Sequence, residues 1–165
     1  MPASASSSVS IAPDDAATTK PAGKPALVTP PMAQLSAAQV VTALTGAGYT
    51  CGKDSTYAIC ESGPVAVWVL TGKHKRVPVV SLHSIGKMAE AHAAIEKALP
   101  KALQTAHVNE VWLVADWFAK QAGKTAAKTT IGDWKVELYA EADSEEPGVH
   151  LTLTDKFCTA NCQAE

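Results

Sequence analysis

The sequence predicts an α+β domain: a single antiparallel sheet with helices packed on one face, in the order α-β-β-β-β-α-α-β-β, behind a disordered N-terminal tether. Three observations carry this. Short runs at Val65–Leu70, Thr129–Ala140 and Val149–Thr154 are strand-like, the last two alternating in and out with a period of two. Between the two groups of strands, Ile85, Met88, His92, Ile95, Leu99 and Ala102 or Ala106 recur at three- and four-residue steps. Hydrophobic residues make up 47% of the chain but aromatics only 5%, so alanine-rich helices must pack on a few strands that hold the larger side chains.

Length and composition set the domain plan. A chain of 165 residues suits one domain better than two. Residues 1–32 are rich in Ser, Ala, Thr and Pro, with little to bury until Leu27 and Val28, so they read as a disordered spacer. Residues 33–165 then form the single α+β domain. The net charge of −2 and pI near 6.2 give no signature of nucleic-acid or anionic-membrane binding.

Each element has a local reason. Ser36 and Gln39 form a capping-box pattern, Leu35 and Val40 a hydrophobic staple, and Gly46 and Gly48 end the first helix. Tyr49–Cys51 starts a strand, Gly52–Ser55 reads as its turn, and Tyr57–Glu61 returns. Gly63-Pro64 turns the chain into Val65–Leu70, apolar on both faces and therefore a central strand. Val77–His83 is a fourth strand, which Pro78 pushes toward an edge because proline cannot donate to a ladder. Ser84 caps the long amphipathic helix, with Pro100 expected to kink or break it. Asn109 caps the next helix, striped by Val111, Val114, Phe118 and Ala122, although Val111–Val114 also has strand composition. Thr129–Ala140 and Val149–Thr154 complete the sheet, joined by an acidic loop.

Cys51, Cys60, Cys158 and Cys162 form two close pairs with C-x8-C and C-x3-C spacing, unlike the C-x2-C of zinc ribbons and redox motifs. Two local disulfides in an oxidising compartment are the favoured reading, although four cysteines permit three pairings. No stretch is long and apolar enough to span a membrane, and the first 31 residues carry no signal-peptide pattern. Either the protein is cytosolic or Met1 marks a trimmed start that has lost an N-terminal anchor. The cysteines and the tether favour the second, which places the chain outside the cell or in its envelope.

Several stretches resemble those of uncharacterised exported proteins and lipoproteins of high-GC Gram-positive bacteria. They are Tyr49-Thr50-Cys51 through Cys60-Glu61-Ser62, the helix around Trp117, and Thr129-Thr130-Ile131-Gly132 leading into a strand. The resemblance covers residues 35–155 and implies compartment and fold, without a site. The lipobox cysteine of lipoproteins is missing near the start of the chain.

No motif fixes a chemistry. Gly123-Lys124-Thr125 ends like a phosphate loop, but the first glycine of that motif would fall at Phe118. Five histidines occur without the i, i+4 pairing of a helical metal site, and no cofactor or metal is expected. Ser81, His83 and Asp116 could compose a nucleophile–base–acid set only if the fold brought them together. Lys73, His74, Lys75 and Arg76 form a compact basic loop, the candidate binding patch for an anion or acidic partner. Glu141-Ala142-Asp143-Ser144-Glu145-Glu146 reads as a solubilising turn without calcium-loop spacing. Trp68, Trp112, Trp117 and Trp134 either fill an alanine-rich core or line a ligand groove. The expectation is therefore a non-enzymatic binding or accessory module of the bacterial cell envelope, its partner protein or ligand unidentified. The alternative is a small hydrolase using His83 or His92.

Overall fold

The computed structural model describes residues 34–74, 76–142, 145–158 and 162. The expected tether, Lys75 of the basic loop, and Asp143 and Ser144 of the acidic loop lie outside the described residues. The chain runs α1 (Ala37–Gly46), β1 (Thr50–Asp54), β2 (Tyr57–Ser62), β3 (Val65–Leu70), β4 (Val79–Ile85), α2 (Met88–Thr105), α3 (Val111–Lys120), β5 (Ala126–Ile131), β6 (Trp134–Glu141) and β7 (Gly148–Asp155). One seven-stranded sheet results, in the order β1-β2-β3-β4-β7-β6-β5, every neighbouring pair antiparallel. It consists of two meanders, β1–β4 and β5–β7, joined along β4 and β7.

The first helix forms as its sequence predicts. The Ser36 side chain accepts from the Gln39 backbone N–H at 3.3 Å, and the Ser36 N–H donates to Gln39 Oε1 at 2.9 Å. At the other end, Gly48 N–H bonds to Thr45 O and Tyr49 N–H to Leu44 O. This is the paired pattern of a Schellman stop, with Gly48 at φ +102 where a side chain would be strained. Leu44 and Tyr49, the two residues brought together by the stop, are both buried.

In β1–β2 the turn is tighter than the sequence implies. Strand β1 continues through Gly52, Lys53 and Asp54, and only Ser55 and Thr56 turn, since Asp54 already pairs with Tyr57. Cys51 and Cys60 are directly opposed in this register and are disulfide-bonded. The second bridge joins Cys158 to Cys162, so both local pairings form.

Strand β4 corrects the expected edge. It is the middle strand of the seven, between β3 and β7. Pro78 lies just before it and supplies only an acceptor: its carbonyl takes the Asp155 N–H at 2.8 Å. A missing donor therefore costs nothing there. The segment Thr129–Ala140 folds back at Gly132-Asp133, so that Ile131 pairs with Trp134 and a further strand, β5, forms the far edge.

All three helices lie on one face. Val67, Leu82, Val136, Leu138, Leu151 and Leu153 point to them, against Val40, Leu44, Ile95, Leu99, Leu103 and Val114, all buried. Burying such aliphatic side chains typically contributes about 1.5–3 kcal/mol each, which is what holds the layers together. Helix α2 is continuous through Pro100. Its N-cap is Lys87, without a capping side chain; Ser84 remains in β4 and its hydroxyl donates to Pro64 O at 2.8 Å. Similarly, Glu110 at φ +65, and not Asn109, sits at the N-cap of α3. Val111–Val114 is helical, with Val111, Val114 and Phe118 buried and Ala122 exposed beyond the helix end. His92 stacks on Phe118 with ring centroids 4.0 Å apart, and its Nε2–H donates to Phe118 O at 3.0 Å.

Candidate functional site: a groove on the uncovered sheet face

Strand alternation decides which residues face away from the helices. On β2 they are Tyr57, Ile59 and Glu61; on β3, Ala66 and Trp68; on β4, Ser81, His83 and Ile85. On β7 and β6 they are His150, Thr152, Glu137, Tyr139 and Glu141. The register then aligns rows across the sheet. One row runs Glu61–Ala66–His83–His150–Tyr139, each directly opposite the next. The adjoining row runs Ile59–Trp68–Ser81–Thr152–Glu137.

Within these rows the rings stack. Tyr57 meets Trp68 edge-on at 5.5 Å, Trp68 lies flat on His83 at 4.4 Å, and His83 lies flat on His150 at 4.2 Å. Tyr139 closes the series edge-on to His150 at 6.3 Å. Five side chains from five strands thus form a continuous aromatic band, and among the described residues no helix lies over it. Trp68, His83 and His150 are half-buried by one another, and Tyr139 and Ile85 are exposed.

The middle of the band, Trp68, His83 and His150, floors an open groove of about 1120 Å³, with Tyr57 and Tyr139 flanking it. Pro64 and Ile85 wall one end. Glu61, Glu141, Glu145 and Glu146 stand on its rim, and among the described residues no lysine or arginine lines it. Close approach of β7 to β4 shapes that end: a Cβ on Gly148 would come within 2.6 Å of Ser84 O, a backbone atom that cannot yield.

Electrostatics follow from burial. His83 has its pKa lowered to about 4, chiefly because burial penalises the charged ring and secondarily because His150 is adjacent. Burial also pushes His150 down, with Glu141 pulling partly the other way. Both imidazoles are therefore neutral near pH 7 and leave the rim carboxylates unopposed. His83 Nε2 is 2.7 Å from Ser81 Oγ, which also contacts Thr152 Oγ1 at 3.0 Å. Two members of the Ser81–His83–Asp116 set thus meet. Asp116 does not join them: it lies on α3, among the helices, where it pairs with Lys120 at 3.0 Å. Ser81 is only 4% exposed, beneath the rings, and its strand's backbone N–H groups are engaged in the ladders, so they are not offered to an oxyanion. His92 is buried, stacked on Phe118 between α2 and α3.

Of the basic loop, Arg76 is held by carboxylates. Arg76 turns inward: Nη2 and Nε bond Asp155 at 2.5 and 3.2 Å, and Nη1 bonds Asp133 at 3.3 Å. Its guanidinium lies 5.0 Å from the centre of the Trp134 ring. Burial works against its charge, but Asp155 and then Asp133 outweigh that and raise its pKa above the ordinary arginine value. Lys73 is exposed and His74 half-buried. The tryptophans divide between the two readings. Trp134 is in the core, Trp117 packs partly against it, Trp112 is partly exposed, and Trp68 lines the groove.

No motif in the sequence marks His150, Tyr139 or Glu61 as site residues, and Glu141 reads there only as part of a solubilising loop. The signal was present, since alternation puts His150 and Tyr139 opposite the core residues of their strands. Pairing them with His83 required β4 beside β7, which placing β4 at an edge had obscured. Among the described residues no group of histidines, cysteines and carboxylates is arranged to hold a metal ion. No family model, curated protein or solved structure matches the chain.

Proposed function

We propose that the chain is a non-enzymatic binding module working in an oxidising compartment at the cell envelope, with the groove on the uncovered sheet face as its binding surface. The observation that carries this reading is the ring stack Trp68–His83–His150 on the groove floor, flanked by Tyr57 and Tyr139, an aromatic area that no helix among the described residues covers. Sheets with one face on a core usually turn polar residues to water on the other, so an aromatic band there points to recognition. Two disulfides support the compartment, as does the resemblance to exported proteins. Among the described residues no helix is long and apolar enough to cross a membrane.

The Ser81–His83 contact favours a second reading, a small hydrolase. Against it stand a buried nucleophile, no acid at His83 among the described residues, and backbone N–H groups of β4 that are committed to the ladders. Turnover of a panel of activated esters by the wild-type protein and by Ser81→Ala decides between the two. Equal, background-level rates are expected; a burst that Ser81→Ala abolishes would establish the enzyme. Thiol counting on freshly isolated native protein tests the compartment. No reactive thiol is expected, and four would overturn it.

A further inference from the structure

We propose that the groove takes an extended basic segment of a partner polypeptide, laid across the strands with cationic side chains toward both ends. This rests on the reading of the groove as a binding surface and adds what occupies it. Three features of the groove point the same way.

Charge comes first. The rim carries Glu61 on one side and Glu141, Glu145 and Glu146 on the other, with no cation among the described residues that line it. An anionic ligand would meet uncompensated repulsion, whereas an ammonium or guanidinium is attracted. The floor adds to this, because the faces of aromatic rings attract cations and Trp is the strongest of them. The histidines, uncharged near neutral pH, do not oppose it.

Spacing comes second. Glu61 is on β2 and Glu141 on β6, four strand steps apart in the sheet. At about 4.8 Å per step this is roughly 19 Å, the length of about six residues of extended chain. A single amine cannot reach both sides. An extended peptide with Lys or Arg at i and i+6 can, and its intervening apolar side chains would lie on Trp68 and the two histidines.

Shape comes third. The groove is open along its top and, at about 1120 Å³, lies just above the range of ordinary small-molecule sites. A chain that enters and leaves past the rim fits such a trough, while a compact ligand would leave much of it wet.

The test uses the intact protein and fluorescent peptides of one length. One carries lysines six apart around an apolar centre, one carries them two apart, and one has glutamates six apart; spermine is a comparator of similar reach without a peptide backbone. The wide dibasic peptide should bind most tightly. Its affinity should fall roughly threefold to fivefold in each of Glu61→Gln and Glu141→Gln, and further in 0.5 M salt. Both glutamates are exposed, and unchanged thermal melts would show that the variants fold. Equal binding of the narrow peptide, or of spermine, would overturn the extended-peptide assignment. Preference for the glutamate peptide with loss of binding in Trp68→Ala would overturn the cationic ligand while leaving the groove as a binding surface. No peptide whose binding depends on Trp68 would overturn both.

Discussion

His83 is the residue at which stability and recognition meet. Its ring is sandwiched between Trp68 and His150 and hydrogen-bonded to Ser81, and its pKa is near 4 instead of the ordinary 6.5. The unfolded chain takes up a proton near pH 6.5 and the folded one does so only near pH 4, so in that window the unfolded state binds more protons. Stability is therefore full above about pH 6.5 and declines as the pH falls toward 4, by up to about 3 kcal/mol from this group alone. His150, shifted in the same direction, adds to the slope. Urea unfolding at pH 7 and pH 4.5 should show the loss, and His83→Gln should shrink it; an unchanged slope in that variant would place the acid sensitivity elsewhere. Arg76 makes a second residue-level case. Replacing it with Leu strands Asp155, whose side chain is 12% exposed, and should cost roughly 2–4 kcal/mol by chemical denaturation. Asp133→Asn removes the partner that is 43% exposed and should cost under about 1 kcal/mol.

At the level of elements, sequence signals were reliable where local chemistry decides the outcome. The capping box at Ser36, the glycine stop at Gly48 and the Val65–Leu70 strand all appear where expected. They were weaker where a residue's role depends on what lies beside it in space. Pro78 reads as an edge marker until Asp155 is seen to need only its carbonyl. Ser84 reads as a helix cap until Pro64 proves to be its acceptor. Arg76 reads as part of a basic patch, because its two carboxylate partners are 57 and 79 positions away. The groove was the least legible feature, since its rows exist only once five strands are in register. That register has a sensitive point at Gly148. Gly148→Ala would drive a methyl into the Ser84 carbonyl, forcing β4 and β7 apart at the groove end. We expect a loss of about 2–3 kcal/mol and exchange-broadened resonances of His83 and His150 by NMR. Ala substituted at exposed Gly46, where nothing lies within 4 Å, should be neutral or slightly stabilising.

For the whole molecule, the decisive arrangement is that each meander folds from near neighbours while β4–β7 joins residues far apart, from Ile85 with Gly148 to Val79 with Thr154. Bringing such distant segments together carries a loop-closure cost that the hairpins do not meet, so the joint should form late. Pulse-labelled hydrogen exchange during refolding should protect amides within β1–β3 and β5–β6 before those that bridge β4 and β7; simultaneous protection would contradict this order. The paired imidazoles stand one on each side of that joint. Trp68 and Glu61 belong to the first half of the chain, Tyr139 and Glu141 to the second. A half-assembled molecule would offer a visitor only part of a cradle, so anything that needs both sides can tell a finished copy from an unfinished one.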